Sequence, residues 1–194
     1  MKKIFTLAII TLFAVTGMQA QTVTINKTDG STVVLNAADI TSITFEPAAE
    51  QTEAEKMAGT YTGRDSINVG NMFPYKAVAD GEYKITANAD GSINVTLPEE
   101  KFSQTAIGDL VVGSFTVSNI AWDESAQAFV RNYSKDGIKF HFKSSTMDND
   151  YALDKDNCKM TVKSNADGTV TILNTYQMGR MPFPIYSTVV VTKK

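Results

Sequence analysis

The sequence is poor in the residues that carry most enzyme chemistry. Its 194 residues include one cysteine, one histidine and one tryptophan. A single cysteine, Cys158, excludes a disulfide within the chain. One histidine and one cysteine also argue against a zinc or other transition-metal site. A hydrolase triad holds a nucleophile beside a base, and no second histidine is present to activate Cys158. No GxGxxG or Walker stretch occurs, so the glycine-rich phosphate cradles are missing. Lys/Arg clusters are absent too, and a net charge of −3 repels phosphate backbones, which argues against nucleic-acid binding. No motif singles out a catalytic pair among the 21 Asp and Glu residues. These absences predict a protein that is not an enzyme and that uses no cofactor or metal.

The few reactive side chains read as structural. His141 falls on the polar parity of an alternating run, the position of an exposed strand residue. Cys158 shares a face with Met160 and Val162 and reads as a small buried hydrophobe. The stretch 147–157 is dense in hard oxygen ligands. It lacks the Gly at the sixth and the Glu at the twelfth place of an EF-hand loop, and reads as a solvated acidic loop.

What is present begins with an address. Lys2-Lys3, the apolar run Ile4 to Val15 and the small Ala20 before Gln21 have the layout of a secretory signal peptide over residues 1–20. The run is too short to span a bilayer and stay there. No cysteine stands at the cut, so lipid anchoring by that route is excluded. The expectation is an exported protein, periplasmic or extracellular, that is not a lipoprotein and has no stable membrane insertion after signal removal. Loss of Lys2 and Lys3 takes the net charge from −3 to −5.

Almost everywhere else the apolar period is two, the period of half-buried strands. Residues 21–46 form a small N-terminal β-hairpin unit: Thr22 to Asn26 and Thr32 to Leu35 flank Asp29-Gly30, a strong hairpin signal. A turn through Ala37-Ala38-Asp39 and a third run, Ile40 to Glu46, follow. Residues 47–56, with Pro47 and several Ala and Glu, read as a linker, with a short helical turn near Thr52 to Met57. Residues 57–194 then carry nine strand-like runs, near 58–68, 75–87, 92–98, 110–122, 127–134, 137–144, 157–165, 169–177 and 184–193. The tetrapeptide Asn-Ala-Asp-Gly makes the turn at both 88–91 and 165–168. The parity of Phe115 and Val117 differs from that of Ile120 and Trp122, which predicts a bulge near Ser118-Asn119.

Consecutive hairpins without crossover helices predict an all-β fold, an antiparallel up-and-down β-barrel of about 8–10 strands. A two-sheet sandwich is the alternative. Nine strands cannot close an up-and-down barrel with every neighbour antiparallel. One run must therefore be split wrongly or lie outside the barrel.

The segment Lys56 to Arg64 resembles the first strand of the calycins, the superfamily of lipocalins and fatty-acid-binding proteins. In lipocalins a helical turn leads into Gly-x-Trp, whose ring plugs the closed end of the barrel beneath an Arg from near the last strand. Here the match is Gly59-Thr60-Tyr61. The resemblance makes Tyr61 the barrel plug, and only a lysine of Thr192-Lys193-Lys194 stands where the Arg would be. Asp29-Gly30-Ser31, Ile40 to Phe45 and the opening Gly-Thr-Tyr together make the chain similar to calycin-like barrel domains of exported proteins from gut Gram-negative anaerobes. That resemblance implies architecture more than activity.

Two functions fit this reading. In the first, the barrel holds a small hydrophobic, lipid-like ligand. The inward-facing candidates are Tyr83, Ile85, Val95, Phe115, Val117, Phe140, Phe142, Met160 and Tyr176. In the second, the barrel is filled and the protein is a structural or protein-interaction module. The apolar stretches Met72-Phe73-Pro74-Tyr75 and 178–184 either cover a barrel mouth or meet a partner.

Overall fold

A computed structural model describes residues 22–26, 29–42 and 50–194. The segment read as a signal peptide, residues 43–46 of the third N-terminal run and residues 47–49 lie outside it. The chain divides into two compact units, Met1–Ala49 and Glu50–Lys194.

In the first unit, β1 (Thr22–Asn26) and β2 (Thr32–Asn36) pair antiparallel, with Thr22 opposite Asn36. Gly30 takes φ +83° in the turn, and the Asp29 carboxylate accepts the Ser31 N–H at 2.8 Å. Glycine reaches that left-handed conformation at no steric cost, which is why Asp-Gly marks the turn. A 3-10 turn over Ala37–Asp39 follows. Residues 40–42, the described start of the third run, are not strand.

The second unit opens with a short helix, α1 (Glu53–Met57). Thr52 caps it: its Oγ1 accepts the Glu55 N–H at 3.2 Å, and Glu55 accepts the Thr52 N–H at 2.8 Å. This reciprocal box satisfies two otherwise unpaired donors at the start of the helix. Ala54 and Met57 point inward and are buried.

Fourteen strands follow. They are β3 (Gly59–Gly63), β4 (Ser66–Val69), β5 (Phe73–Lys76), β6 (Gly81–Ala87), β7 (Ile93–Leu97), β8 (Glu100–Thr105) and β9 (Gly108–Val112). Next come β10 (Phe115–Asp123), β11 (Ala128–Asn132), β12 (Lys139–Lys143), β13 (Asp148–Ala152), β14 (Lys159–Ser164), β15 (Val170–Tyr176) and β16 (Ile185–Lys193). Eight of them, β3-β6-β7-β10-β11-β14-β15-β16, form a ring of antiparallel neighbours, and β16 returns to β3 to close it. The barrel is therefore closed, and the sandwich alternative falls.

The odd run among the nine is 137–144. It forms β12, outside the ring, in a separate sheet of order β13-β12-β9-β8. Two strands of that sheet, β8 and β13, lie where no alternation was read. β13 also corrects the reading of 147–157 as a solvated loop: Asp148 and Asp150 stand on a strand opposite Lys143 and His141.

Local chemistry explains the joints. Both Asn-Ala-Asp-Gly turns use one solution. Asn88 N–H donates to Ser92 O at 2.8 Å, and Asn165 N–H to Thr169 O at 2.8 Å. Gly91 and Gly168 take φ +82° and +85°. The expected bulge is present: Val117 pairs with Val95 but Ile120 with Ile93, and Asn119 between them takes φ +54°.

Gly63 lets the last strand approach the first. A Cβ there would lie 2.7 Å from the carbonyl oxygen of Val190 and 2.8 Å from Val191 Cγ1. Overpacking at a site bounded by backbone costs about 1–3 kcal/mol. Gly63→Ala is therefore expected to lower the urea-unfolding free energy by about that amount; an unchanged midpoint would show that β16 is not seated tightly on β3.

Candidate functional site

The two ends of the barrel differ. At one end α1 packs against β6, and the Met57 sulfur meets Ser164 Oγ at 3.7 Å. Tyr61 is buried there, and its hydroxyl donates to the Met57 carbonyl at 2.6 Å. Lys193 Nζ sits 5.9 Å from the Tyr61 ring centroid and donates to Ala58 O at 2.7 Å. A cation over an aromatic face is attracted by the ring quadrupole. Gly59 leaves the space this needs, since a Cβ there would lie 2.5 Å from Lys193 Cε.

The other end is hollow. Its cavity of about 650 Å³ is walled by side chains of β4, β5, β9, β12, β13 and β16 and by the turns at 105–107 and 178–183. Ile67, Leu110, Val112, Phe142 and Ile185 form its buried floor. Phe73, Ile107 and Phe183 line it at the rim while remaining 40–45% exposed. Both apolar stretches singled out in the sequence contribute to this wall.

Backbone latches hold the rim. Gly70 and Asn71, at φ +61° and +60°, turn β4 into β5. Gly70 N–H donates to Pro184 O at 2.8 Å, and the Phe183 ring lies where a Gly70 side chain would be. Ala106 N–H donates to the Tyr75 hydroxyl at 3.0 Å, tying the β8–β9 turn to β5. Pro74 stands on β5, the end strand of its sheet, where a missing donor breaks no ladder.

All nine inward candidates are buried. Phe142 is on the cavity wall. Tyr83, Ile85, Val95, Phe115, Val117, Phe140, Met160 and Tyr176 are not on that wall and pack in the continuous core. Alternation identifies the inward face of a strand but not the level along the barrel axis. Phe140 links the levels, with its ring 5.9 Å from Tyr176 and 6.5 Å from Phe142, edge to face in both pairs.

Beneath the floor lies a polar layer that the sequence did not reveal. Asp65 and Glu100 are only 3% and 8% exposed. Asp65 is one inward-facing position deeper than Ile67, and Ser187 one deeper than Ile185. Ser187 Oγ donates to Asp65 at 2.9 Å, and the Tyr83 hydroxyl donates to Glu100. Burial, then the neighbouring Asp65, pushes the Glu100 carboxyl up to about 8, and burial also raises Asp65. Two adjacent buried carboxyls cannot both ionise cheaply, so the pair retains a proton near neutral pH. The two acids lie at breaks between strands, in the Arg64-Asp65 bend and after Pro98-Glu99, where no alternating pattern marks them as buried.

The remaining reactive groups do not line the cavity. His141 is half exposed, and its ring nitrogens meet Asp150 at 2.8 Å and Asp148 at 2.9 Å. Cys158 is a buried free thiol whose pKa is raised by burial.

A closed antiparallel barrel, plugged at one end and hollow at the other, defines a barrel of the binding or structural class. The family model for the calycin-like beta-barrel domain matches residues 57–188, and the chain belongs to that family. No curated protein and no solved structure matches the chain.

The acidic layer gives a signed pH dependence. Glu100 has a raised folded pKa, so the folded protein keeps a proton that the unfolded chain releases above about 4.5. Its contribution to stability is complete below that pH and is lost as pH rises through about 8. The slope is at most about 1.4 kcal/mol per pH unit. His141 also has a raised pKa and tilts the curve the same way. The informative quantity is thus the difference between wild type and Glu100→Gln, whose amide preserves shape. Urea titrations from pH 5 to 8 should show a flatter curve for the variant; identical slopes would contradict a shared buried proton.

Proposed function

We propose that this protein binds a small hydrophobic ligand in the cavity at the open end of its barrel, and that it does so as an exported protein after removal of residues 1–20. The observation that carries the binding reading is the cavity itself. Its volume of about 650 Å³ lies within the roughly 300–1,000 Å³ typical of small-molecule sites. Its wall is built mainly from Ile, Val, Leu, Phe and Met. Burial of apolar ligand surface there gains about 25 cal/mol per Å². The contacts are non-directional, so the site selects for size and apolarity before it selects for functional groups.

Binding rather than catalysis suits this site. Among the described residues no nucleophile–base pair lines the cavity, and the buried acids are held by Ser187 and Tyr83 below its floor. A structural or interaction role is the second reading. It is favoured by the exposed apolar rim, where Met72 is 53% and Phe73 45% exposed.

Native mass spectrometry of protein isolated from its own host should retain a lipid-sized adduct, and Nile red should bind the emptied protein. Val69→Trp places a large ring on the half-buried wall and is expected to weaken Nile red binding at least about tenfold, a loss of about 1.4 kcal/mol, with little change in melting temperature. Absence of both adduct and dye binding would favour the interaction role.

A further inference from the structure

We infer that the ligand is a single-chain amphiphile with an anionic head, and that Arg180 at the rim pairs with this head while the apolar tail fills the cavity. The inference rests on the binding reading above and adds the chemistry of the head group. Of the eighteen described residues that wall the cavity, Arg180 alone carries a formal charge.

The other polar groups on the wall are already engaged. The Thr105 hydroxyl donates to Gly108 O at 2.5 Å, the Tyr75 hydroxyl accepts the Ala106 N–H, and the Tyr151 hydroxyl meets the Met147 sulfur at 3.7 Å. Arg180 makes no hydrogen bond or ion pair with the described residues. The carboxylates of β13, the strand whose Tyr151 packs on this turn, are taken: Asp148 by Lys143 and His141, Asp150 by His141.

The turn that presents Arg180 is built. Met181 N–H donates to Met178 O at 3.0 Å, closing a four-residue turn with Gly179 and Arg180 at its tip. Gln177 Nε2 donates to Met181 O at 2.6 Å, and Gln177 Oε1 accepts from Asn157 at 2.9 Å. Gly179, at φ +51°, lies against Tyr151: a Cβ there would be 3.1 Å from the ring. Met178 and Met181 face the cavity on either side of the tip. Arg180 is thus an exposed residue on the cavity wall, at the rim from which the head of an amphiphile would emerge. The planar guanidinium fork matches the two oxygens of a carboxylate, or those of a sulfate or phosphate. The protein as a whole is acidic, at −3, so a preference for an anion has to come from this local charge.

The test uses the full chain stripped of bound lipid. Laurate, 1-dodecanol and dodecylamine, matched in chain length and kept below aggregation, compete with Nile red for wild type, Arg180→Gln and Arg180→Glu. Laurate should bind wild type more tightly than dodecanol or dodecylamine. Arg180→Gln should weaken laurate about two- to fivefold, as expected for an exposed ion pair, and Arg180→Glu should weaken it further. Dodecanol binding should be unchanged in both variants, and the laurate advantage should shrink at high salt. Arg180 is exposed, so both variants are expected to keep the wild-type melting temperature. Equal binding of laurate and dodecanol, with no effect of Arg180→Gln, would overturn the head-group assignment and leave the cavity reading intact. Displacement of the dye by none of the three probes would overturn this assignment alone, whereas absence of Nile red binding itself would overturn the cavity reading and this assignment with it.

Discussion

The double pairing of the last strand is the constraint on which the structure depends. β16 pairs with β15 along seven residues, from Tyr176–Ile185 to Val170–Val191. On its other edge it pairs with β4 through Ile185 to Thr188 and with β3 through Thr192 and Lys193. That edge closes the ring and leaves no free border on the eight-stranded sheet. It also places one end of β16 at each end of the barrel. Lys193 covers Tyr61 at the plugged end, while Ile185 forms part of the cavity floor.

The hollow end follows from breaks that occur at one level. The first barrel strand bends at Arg64-Asp65, the region before β6 breaks after Lys76, the third at Pro98-Glu99 and the fourth at Gly113-Ser114. Below these breaks the inward side chains meet and fill the interior, as Tyr83, Val95, Val117 and Ile172 do at essentially zero exposure. Above them lie β4, β5, β8 and β9, and a second sheet supplies part of the wall. Gly113 admits that sheet: its N–H donates to His141 O at 2.7 Å, and a Cβ would lie 3.0 Å from His141. Asp65 and Glu100 occupy the level of the breaks, where the ladder is interrupted and polar groups find partners. The same breaks that end the filled level thus place the buried Asp65 and Glu100 beneath an apolar floor.

Much of this was readable from short-range pattern. Strict alternation in Tyr83-Ile85 and Ile93-Val95-Leu97, with Asn-Ala-Asp-Gly between the two runs, specifies a hairpin and its inward face without tertiary information, although Ala87, next to the turn, is exposed. The change of parity between Val117 and Ile120 located the bulge for the same reason. The two apolar stretches stood out because loops so apolar have to be covered or to cover something. What stayed hidden depends on pairing across long sequence separations. Strands of four or five residues interrupted by Pro74 or by the polar run Asp148 to Asp150 carry too little periodicity to be seen. The level at which Phe142, but not Tyr83 or Met160, meets open space is set by breaks in neighbouring strands, and no single strand records it.

The central claim is that one barrel is filled at the helix end and holds an apolar cavity at the other. Apolar cavities of this kind take up xenon, whereas close-packed cores do not. A crystal pressurised with xenon is the most direct measurement. The account predicts a strong xenon peak among Leu110, Val112, Phe142 and Ile185 and none around Tyr61 and Tyr83. Ordered water in place of xenon on that floor, or xenon at the plugged end, would contradict it.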